Sequence, residues 1–323
     1  MTSPVSSADP VEAIGGYFEL ELAKGSFPHA DAILLNSGRS CIEYVLRAND
    51  VRHVYVPNYT CDVVLQPLDR LGIAFSFYAI NEQLELSELI ELRHGELLIV
   101  NNYFGIKDEY CRRLAEIYGR QLAIDCSQAF FADPPAGSHC FYTPRKFFGV
   151  PDGGCLYTDE RLDLVLETDH SYSRSIHLLK RIDLGAEMAY AEFRKNDASL
   201  NGEAMKWLSP LTRRLLGAID YSEALRRRRS NFALLNDHLG VNNRLRTSTD
   251  NACPMVFPLV TDDPDLRQRL IQNRIFVPLY WPNVLNWCEP RETAYHVATH
   301  LLPLPIDQRY GPEHMARILE ILT

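Results

Sequence analysis

The 323-residue chain contains no apolar run approaching the roughly 20 residues a membrane span needs. Its first residues, MTSPVSSADPVEAIGG, lack the charged-then-apolar plan of a secretory signal. Its eight cysteines, at 41, 61, 111, 126, 140, 155, 253 and 288, form no CxxC pair. Several lie inside apolar runs such as CIEYVL and GGCLYT, which suits buried free thiols better than zinc ligands or disulfides. These absences together predict a cytoplasmic protein. Positive charge is also short: the net charge of −9 argues against a nucleic-acid scaffold, whose affinity rests on Lys and Arg. The one basic run, RRRRS at 226–230, has helical surroundings and reads as a solvated or interface face. No G-x-S-x-G elbow is present, which excludes a common serine-hydrolase plan. The GVPDGG turn has neither G-x-G-x-x-G nor Walker spacing.

What is present is an alternation. Short apolar runs at 32–36, 53–57, 73–80, 96–105 and 121–130 predict strands, and amphipathic segments between them predict helices. This predicts a mainly parallel sheet with helices on both faces. Residues from about 160 to 240 read as helical, and MVFPLV (255–260), LLPLPID (301–307) and a final helix (312–322) read as a smaller α/β unit. The expected division is a large domain, 1–240, and a small C-terminal domain, 241–323.

Ligands of parallel sheets bind at the carboxyl ends of strands. Three such ends carry polar residues. In LLNSGRS, a Ser-Gly pair before a helix offers amide N–H groups to a phosphate, with Arg39 adding charge; a simple helix cap explains the pair as well. In IDCSQAF, Asp125 ends an apolar strand and needs a cationic or N–H partner, and Gln128 follows it. In FYTPRKFFGVPDGG (141–154), Lys146 lies among aromatics, where an ammonium is expensive unless it is paired, snorkels outward or forms a Schiff base. A phosphate cradle, a strand-end carboxylate and a lysine are the three things pyridoxal 5′-phosphate needs.

The order of these segments resembles the DegT/StrS-type sugar aminotransferases, a family of fold type I pyridoxal-phosphate enzymes. SGRSCIEYVL, VYVPNYTCDVV, VNNYFG, DCSQAF, TPRKFFGVPDGG and LLPLPIDQRYGPEHMARIL carry the resemblance across nearly the whole chain. It implies a large domain with a mainly parallel sheet, a small α/β domain and a homodimer. It implies that Lys146 forms the imine with the cofactor and moves the proton. Asp125 would face the pyridine nitrogen and Gln128 the phenolic oxygen, and Ser37, Gly38, Arg39 and Ser40 would hold the phosphate. The substrates the resemblance implies are an amino-acid donor such as glutamate and a nucleotide-linked keto sugar. Two positions depart from the pattern. Phe141 stands where the family has a phosphate-binding serine, so Thr143 or Ser138 is expected to substitute. Cys61 stands where the family has a ring-stacking aromatic, so Tyr59 or Tyr103 is expected instead. Asn196 and Asn201 are the candidates for a contact with the neighbouring subunit. Relatives that dehydrate sugars replace the lysine by histidine, and Lys146 is retained. A member that binds cofactor or sugar nucleotide without turnover is the alternative that Phe141 and Cys61 favour.

His296 and His300 share a helical spacing that suits a metal, but no acid or cysteine is near them in sequence, so no metal site is expected. Tyr280 and Trp281 suit either a substrate pocket or core packing.

Overall fold

Strand residues alternate between two faces, and that alternation builds the layers of this protein. The computed structural model describes residues 14–248, 250 and 253–322. Seven strands form the main sheet: β1 (Ile33–Leu35), β2 (His53–Pro57), β3 (Ala74–Tyr78), β4 (Glu96–Asn101), β5 (Leu122–Asp125), β6 (His139–Tyr142) and β7 (Gly154–Tyr157). Their spatial order is β1-β7-β6-β5-β4-β2-β3. From β3 to β6 every neighbouring pair is parallel; β7 runs antiparallel between β6 and β1. The strands β1 to β6 therefore all finish at one edge.

Leu97, Ile99, Ala123, Phe141 and Leu156 point to one face, where they meet α1 (Gly38–Ala48) and α2 (Gln66–Leu71). Leu98, Val100, Leu122, Ile124, Cys140 and Tyr142 point to the other, against α3 (Asp108–Tyr118). Near-continuous apolar strands of this kind need cover on both sides.

Beyond the sheet lie α4 (Ile176–Leu184), α5 (Ala186–Ser199), α6 (Pro210–Gly217) and the long α7 (Tyr221–Leu239). The stretch before α4 is extended, not helical as the sequence reading had it. Its Leu162, Leu164 and Leu166 recur every second residue, which suits an extended chain, and Leu162 and Leu166 pack on the α1 face. The C-terminal part pairs β8 (Val256–Val260) antiparallel with β9 (Leu301–Pro305). It adds α8 (Leu266–Gln272), α9 (Val284–Trp287), α10 (Thr293–His300) and α11 (Pro312–Leu322).

The basic run corrects the sequence reading. Arg226 and Arg227 pair with Glu223 on the surface, but Arg228 is only 2% exposed. Its guanidinium donates to Gln308 Oε1 (2.8 Å), the Met255 carbonyl (3.1 Å) and the Phe147 carbonyl (3.3 Å), and lies 4.4 Å from the centre of the Phe147 ring. The planar fork of arginine makes such divergent bonds possible. Four consecutive arginines on a helix cannot share one face, and the third points inward.

Candidate active site at the strand-end edge

The edge where the parallel strands finish collects Asn36, Asn58, Asn101, Asp125 and Thr143, because each ends or follows a strand there. Ser37 caps α1 with an extended backbone, and its Oγ accepts the Ser40 N–H at 3.1 Å. Ser40 Oγ donates to Asn36 Oδ1 at 2.6 Å and lies 2.9 Å from Ser37 Oγ. The two serine hydroxyls thus form a closed chain with Asn36. They shape the turn, and the first-turn amides of Gly38 and Arg39, which have no intrahelical acceptor, face outward beside them for an anion.

Gly38 suits a close approach. A Cβ there would lie 3.3 Å from Thr143 Cγ2 and 3.7 Å from Thr143 Oγ1. Phe141 and Thr143, two residues apart, project toward the same α1 face. Phe141 is in the core, and Thr143 sits one step nearer the edge. Thr143 Oγ1 is buried with no hydrogen-bond partner among the described residues. Ser138, at the opposite end of β6, donates to the Pro135 carbonyl instead at 3.0 Å. Of the two substitutes for the missing serine, the fold brings only Thr143 to the cradle.

Arg39 donates to Asn201 Oδ1 at 2.8 Å, and its Nε is buried without a partner. Burial, with the Arg145 guanidinium behind it, lowers Arg39 from its ordinary value. Two guanidiniums that repel each other beside free amides favour an anion between them. Arg145 pairs with Asp197 of α5.

Asp125 lies on the same sheet face as Ala123 and is half-buried. Its Oδ1 accepts the Ser127 N–H at 2.8 Å, and it makes no ion pair among the described residues. The expected partner is therefore an amide, which leaves the carboxylate's negative charge unneutralised. Gln128 follows in the turn after β5. Its Oε1 accepts the Phe104 N–H at 3.0 Å, which orients the amide, while Nε2 is buried with no partner. An orphaned buried donor costs about 1–3 kcal/mol, and a ligand that accepts from it recovers that. The turn that holds Gln128 depends on Gly105, whose φ is +70° and whose Cβ would lie 2.9 Å from the carbonyls of both Gln128 and Cys253.

Lys146 ends a short 3-10 turn, Pro144–Lys146. It is exposed, which corrects the expectation of a desolvated lysine. Phe147 and Phe148 are buried, and the tight turn sends their neighbour outward. The Cys61 thiol is pushed up by burial and pulled back by the nearby Lys146 ammonium, so the two share this edge.

Four other candidates lie elsewhere. Tyr59 and Tyr103 are 0% and 2% exposed, with ring centres 5.4 Å apart, and Trp281 lies 5.0 Å from Tyr59. They pack in the core with Trp281, and Tyr59 Oη is buried without a partner. Asn196 donates inward to the Pro151 carbonyl at 2.8 Å, and Asn201 accepts from Arg39 and Gln66 of its own chain. Sequence reasoning missed Asn101, whose Nδ2 donates to Thr60 Oγ1 at 2.9 Å and whose Oδ1 is orphaned. Its position at the end of a parallel strand beside Asp125 was the available signal.

No protein-family model matches the chain, and no curated protein matches it by sequence. Solved structures do. The sugar aminotransferase CalS13 from Micromonospora echinospora matches at 15% identity and a TM-score of 0.58, over 92% of this chain and 87% of that one. NtdA from Bacillus subtilis with bound cofactor PMP matches at 14% and 0.61, over 93% and 77%. A DegT DnrJ EryC1 StrS aminotransferase from Brucella abortus matches at 13% and 0.59, over 90% and 84%. The fold is thus the mixed α/β architecture of fold type I pyridoxal-phosphate transferases, with a large parallel-sheet domain flanked by helices.

Proposed function

We propose that the protein is a pyridoxal-phosphate-dependent aminotransferase of the DegT/StrS type. It would move an amino group from an amino acid such as glutamate to a keto sugar, with a nucleotide-linked sugar as the first class to try. The observation that carries the cofactor reading is the set of unsatisfied polar groups at the strand-end edge. Gln128 Nε2, Thr143 Oγ1 and Arg39 Nε are donors without acceptors, and Asp125 is a carboxylate without a cation. Each matches a group the cofactor offers. The Gly38 and Arg39 amides, the Arg39 side chain and Thr143 would hold the phosphate, Gln128 would donate to the phenolic oxygen, and Asp125 would face the ring nitrogen. The sugar and the donor rest on likeness to solved aminotransferases and on the motifs of the sequence.

When bound, the cofactor supplies an electron sink for the carbon that loses or gains a proton. The chain's own residues do the rest. Asp125 keeps a ring N–H protonated by its charge. Gln128, held by the Phe104 amide, fixes the orientation of a donor. Lys146 Nζ would hold the cofactor and would take and return the proton. Its exposure leaves room for a substrate to reach it.

A cytoplasmic location and a homodimer belong to the same reading. No helix among the described residues is long and apolar enough to cross a membrane. The α4–α5 hairpin exposes Ile176, Leu179, Ile182, Met188, Tyr190 and Phe193, an apolar surface of the kind that marks an interface. The Arg145–Asp197 ion pair ties this hairpin to the Lys146 turn. A second copy seated there would stand beside the site. We keep the division near residue 240, with α7 as the helix on which the small domain packs: Phe232 and Leu235 share a cluster with Phe257 and Leu304.

The test is an absorbance spectrum with pyridoxal phosphate, beside Lys146→Ala. A visible-edge band that the variant lacks and that glutamate bleaches supports the reading. No band at any cofactor concentration overturns it and favours a binding protein without turnover.

A further inference from the structure

Far from the strand-end edge, the fold does what sequence spacing did not. It brings an acid to the His296–His300 pair. Asp262 follows β8, and the Thr261 N–H donates to the His300 carbonyl at 3.0 Å, so the loop is tied to the end of α10. One donor atom from each of Asp262, His296 and His300 lies within 4.8 Å of those of the other two. The imidazoles are stacked, with centres 3.9 Å apart and planes 27° apart. Two charged rings would repel at this separation, so the arrangement suits neutral rings with lone pairs. His300 Nδ1 lies 2.9 Å from the His296 carbonyl oxygen. Thr299 Oγ1 also lies 2.7 Å from Nδ1; in the tautomer that donates from Nδ1 to the carbonyl, Nε2 keeps its lone pair for a metal. A backbone carbonyl that fixes the tautomer in this way is the usual support of a metal-bound histidine.

We propose that Asp262, His296 and His300 form a divalent-metal site for an ion that accepts imidazole nitrogen, such as Zn2+ or Co2+. Two imidazoles and one carboxylate match borderline-soft ions, and disfavour Mg2+ or Ca2+, which take oxygen ligands. Water completes the coordination. Asp262 also pairs with Arg244. The guanidinium's positive charge opposes a cation on the same carboxylate, and this competition gives the site a signature. The bound ion clamps the loop after β8 to α10. At the other end of that helix Glu292 accepts from Asn58 Nδ2 at 3.4 Å, next to the strand-end edge.

The experiment titrates Co2+ into the metal-stripped full-length protein and follows visible absorption, with Zn2+ in competition. The proposal expects one equivalent bound, ligand-field bands without a thiolate charge-transfer band, and displacement by Zn2+. His296→Gln and His300→Gln should each weaken binding by at least about tenfold, and Asp262→Asn by a similar or smaller factor. Arg244→Gln should tighten binding, and the gain should vanish in the Asp262→Asn background. These side chains are at the surface, and circular dichroism verifies the fold of each variant. A thiolate band, binding indifferent to the histidine substitutions, or no binding below millimolar Co2+ overturns the proposal.

Discussion

Two cations stand on either side of Phe147 under opposite conditions. Lys146 ends the preceding turn, exposed, with its amine free to move. Arg228 lies behind, nearly sealed, with bonds to a side chain and two carbonyls. The region around Arg228 is closed: its donors have acceptors and its rings pack at 5–6 Å, as between Phe130 and Phe147 at 5.8 Å. The region around Lys146 is open and leaves buried donors unmatched. A lysine that must reach a ligand gains from a backbone that does not move. Arg228 holds the carbonyl of the very next residue, so the two regions are one device with a fixed half and a free half.

The largest effect should separate the halves. Lys146→Ala should lower turnover by about 10²–10⁴-fold or more while the thermal midpoint stays near that of the parent. A large loss of stability in that variant would show that Lys146 is structural. Arg228→Met should do the reverse in kind. It strands the Met255 carbonyl and Gln308 Oε1, while the Phe147 carbonyl keeps the Gln308 Nε2 donor at 2.9 Å, so unfolding by urea should reveal a loss of about 2–4 kcal/mol. Arg228→Lys should rescue little, because an ammonium cannot span acceptors that diverge. If Arg228→Met unfolds like the parent, the closed region is not what fixes the turn.

Next come the orphaned donors. Thr143→Val and Gln128→Leu each remove one, and each should weaken pyridoxal-phosphate affinity by about 1–2 kcal/mol, read by fluorescence titration. Thr143→Val should leave stability unchanged or slightly raised, since it only removes an unmatched buried donor, whereas Gln128→Leu also strands the Phe104 N–H and should lower it by about 1–3 kcal/mol. An affinity loss without that stability pattern would mean these groups have protein partners in solution.

The smallest effect concerns pH. His139 donates from Nε2 to the Arg120 carbonyl and accepts at Nδ1 from Thr158 Oγ1, so the neutral ring is fully matched. Burial lowers its pKa below the ordinary 6.5, and the same holds for His29. The unfolded chain therefore takes the protons first. The stability these rings contribute is complete above about pH 6.5 and falls as the pH drops toward their folded values. Urea melts at pH 7 and pH 5 should show this decline, and His139→Gln should reduce it.

Much of the sheet was legible because a buried parallel strand is a short apolar run. HVYVP was read as a strand at 53–57, where β2 lies. Asp125, Gln128 and Gly38 were legible because strand ends and the turns after them carry few polar residues in such a chain. Side-chain direction was not. Phe141 and Thr143 are both near Gly38, but only the register of β6 shows which hydroxyl reaches the cradle. The aromatics around Lys146 suggested burial, but in a 3-10 turn neighbours diverge by about 120°, so buried phenylalanines can flank an exposed lysine. Asp262 joins His296 and His300 from another element, and no spacing rule reports that.

The Phe104 peptide has a consequence for measurement. Its N–H donates to Gln128 Oε1, and its carbonyl accepts the Met255 N–H at 2.7 Å, beside β8. One residue thus reads out two places at once. In deuterium exchange, the Phe104 amide is guarded by a side chain rather than by a strand or helix, so its exchange rate reports how firmly Gln128 is held. The Met255 amide, guarded by the same residue from the other side, reports the seating of the C-terminal sheet. If cofactor slows both together, the small sheet and the ligand edge open as one cooperative unit; if it slows only Phe104, they breathe apart.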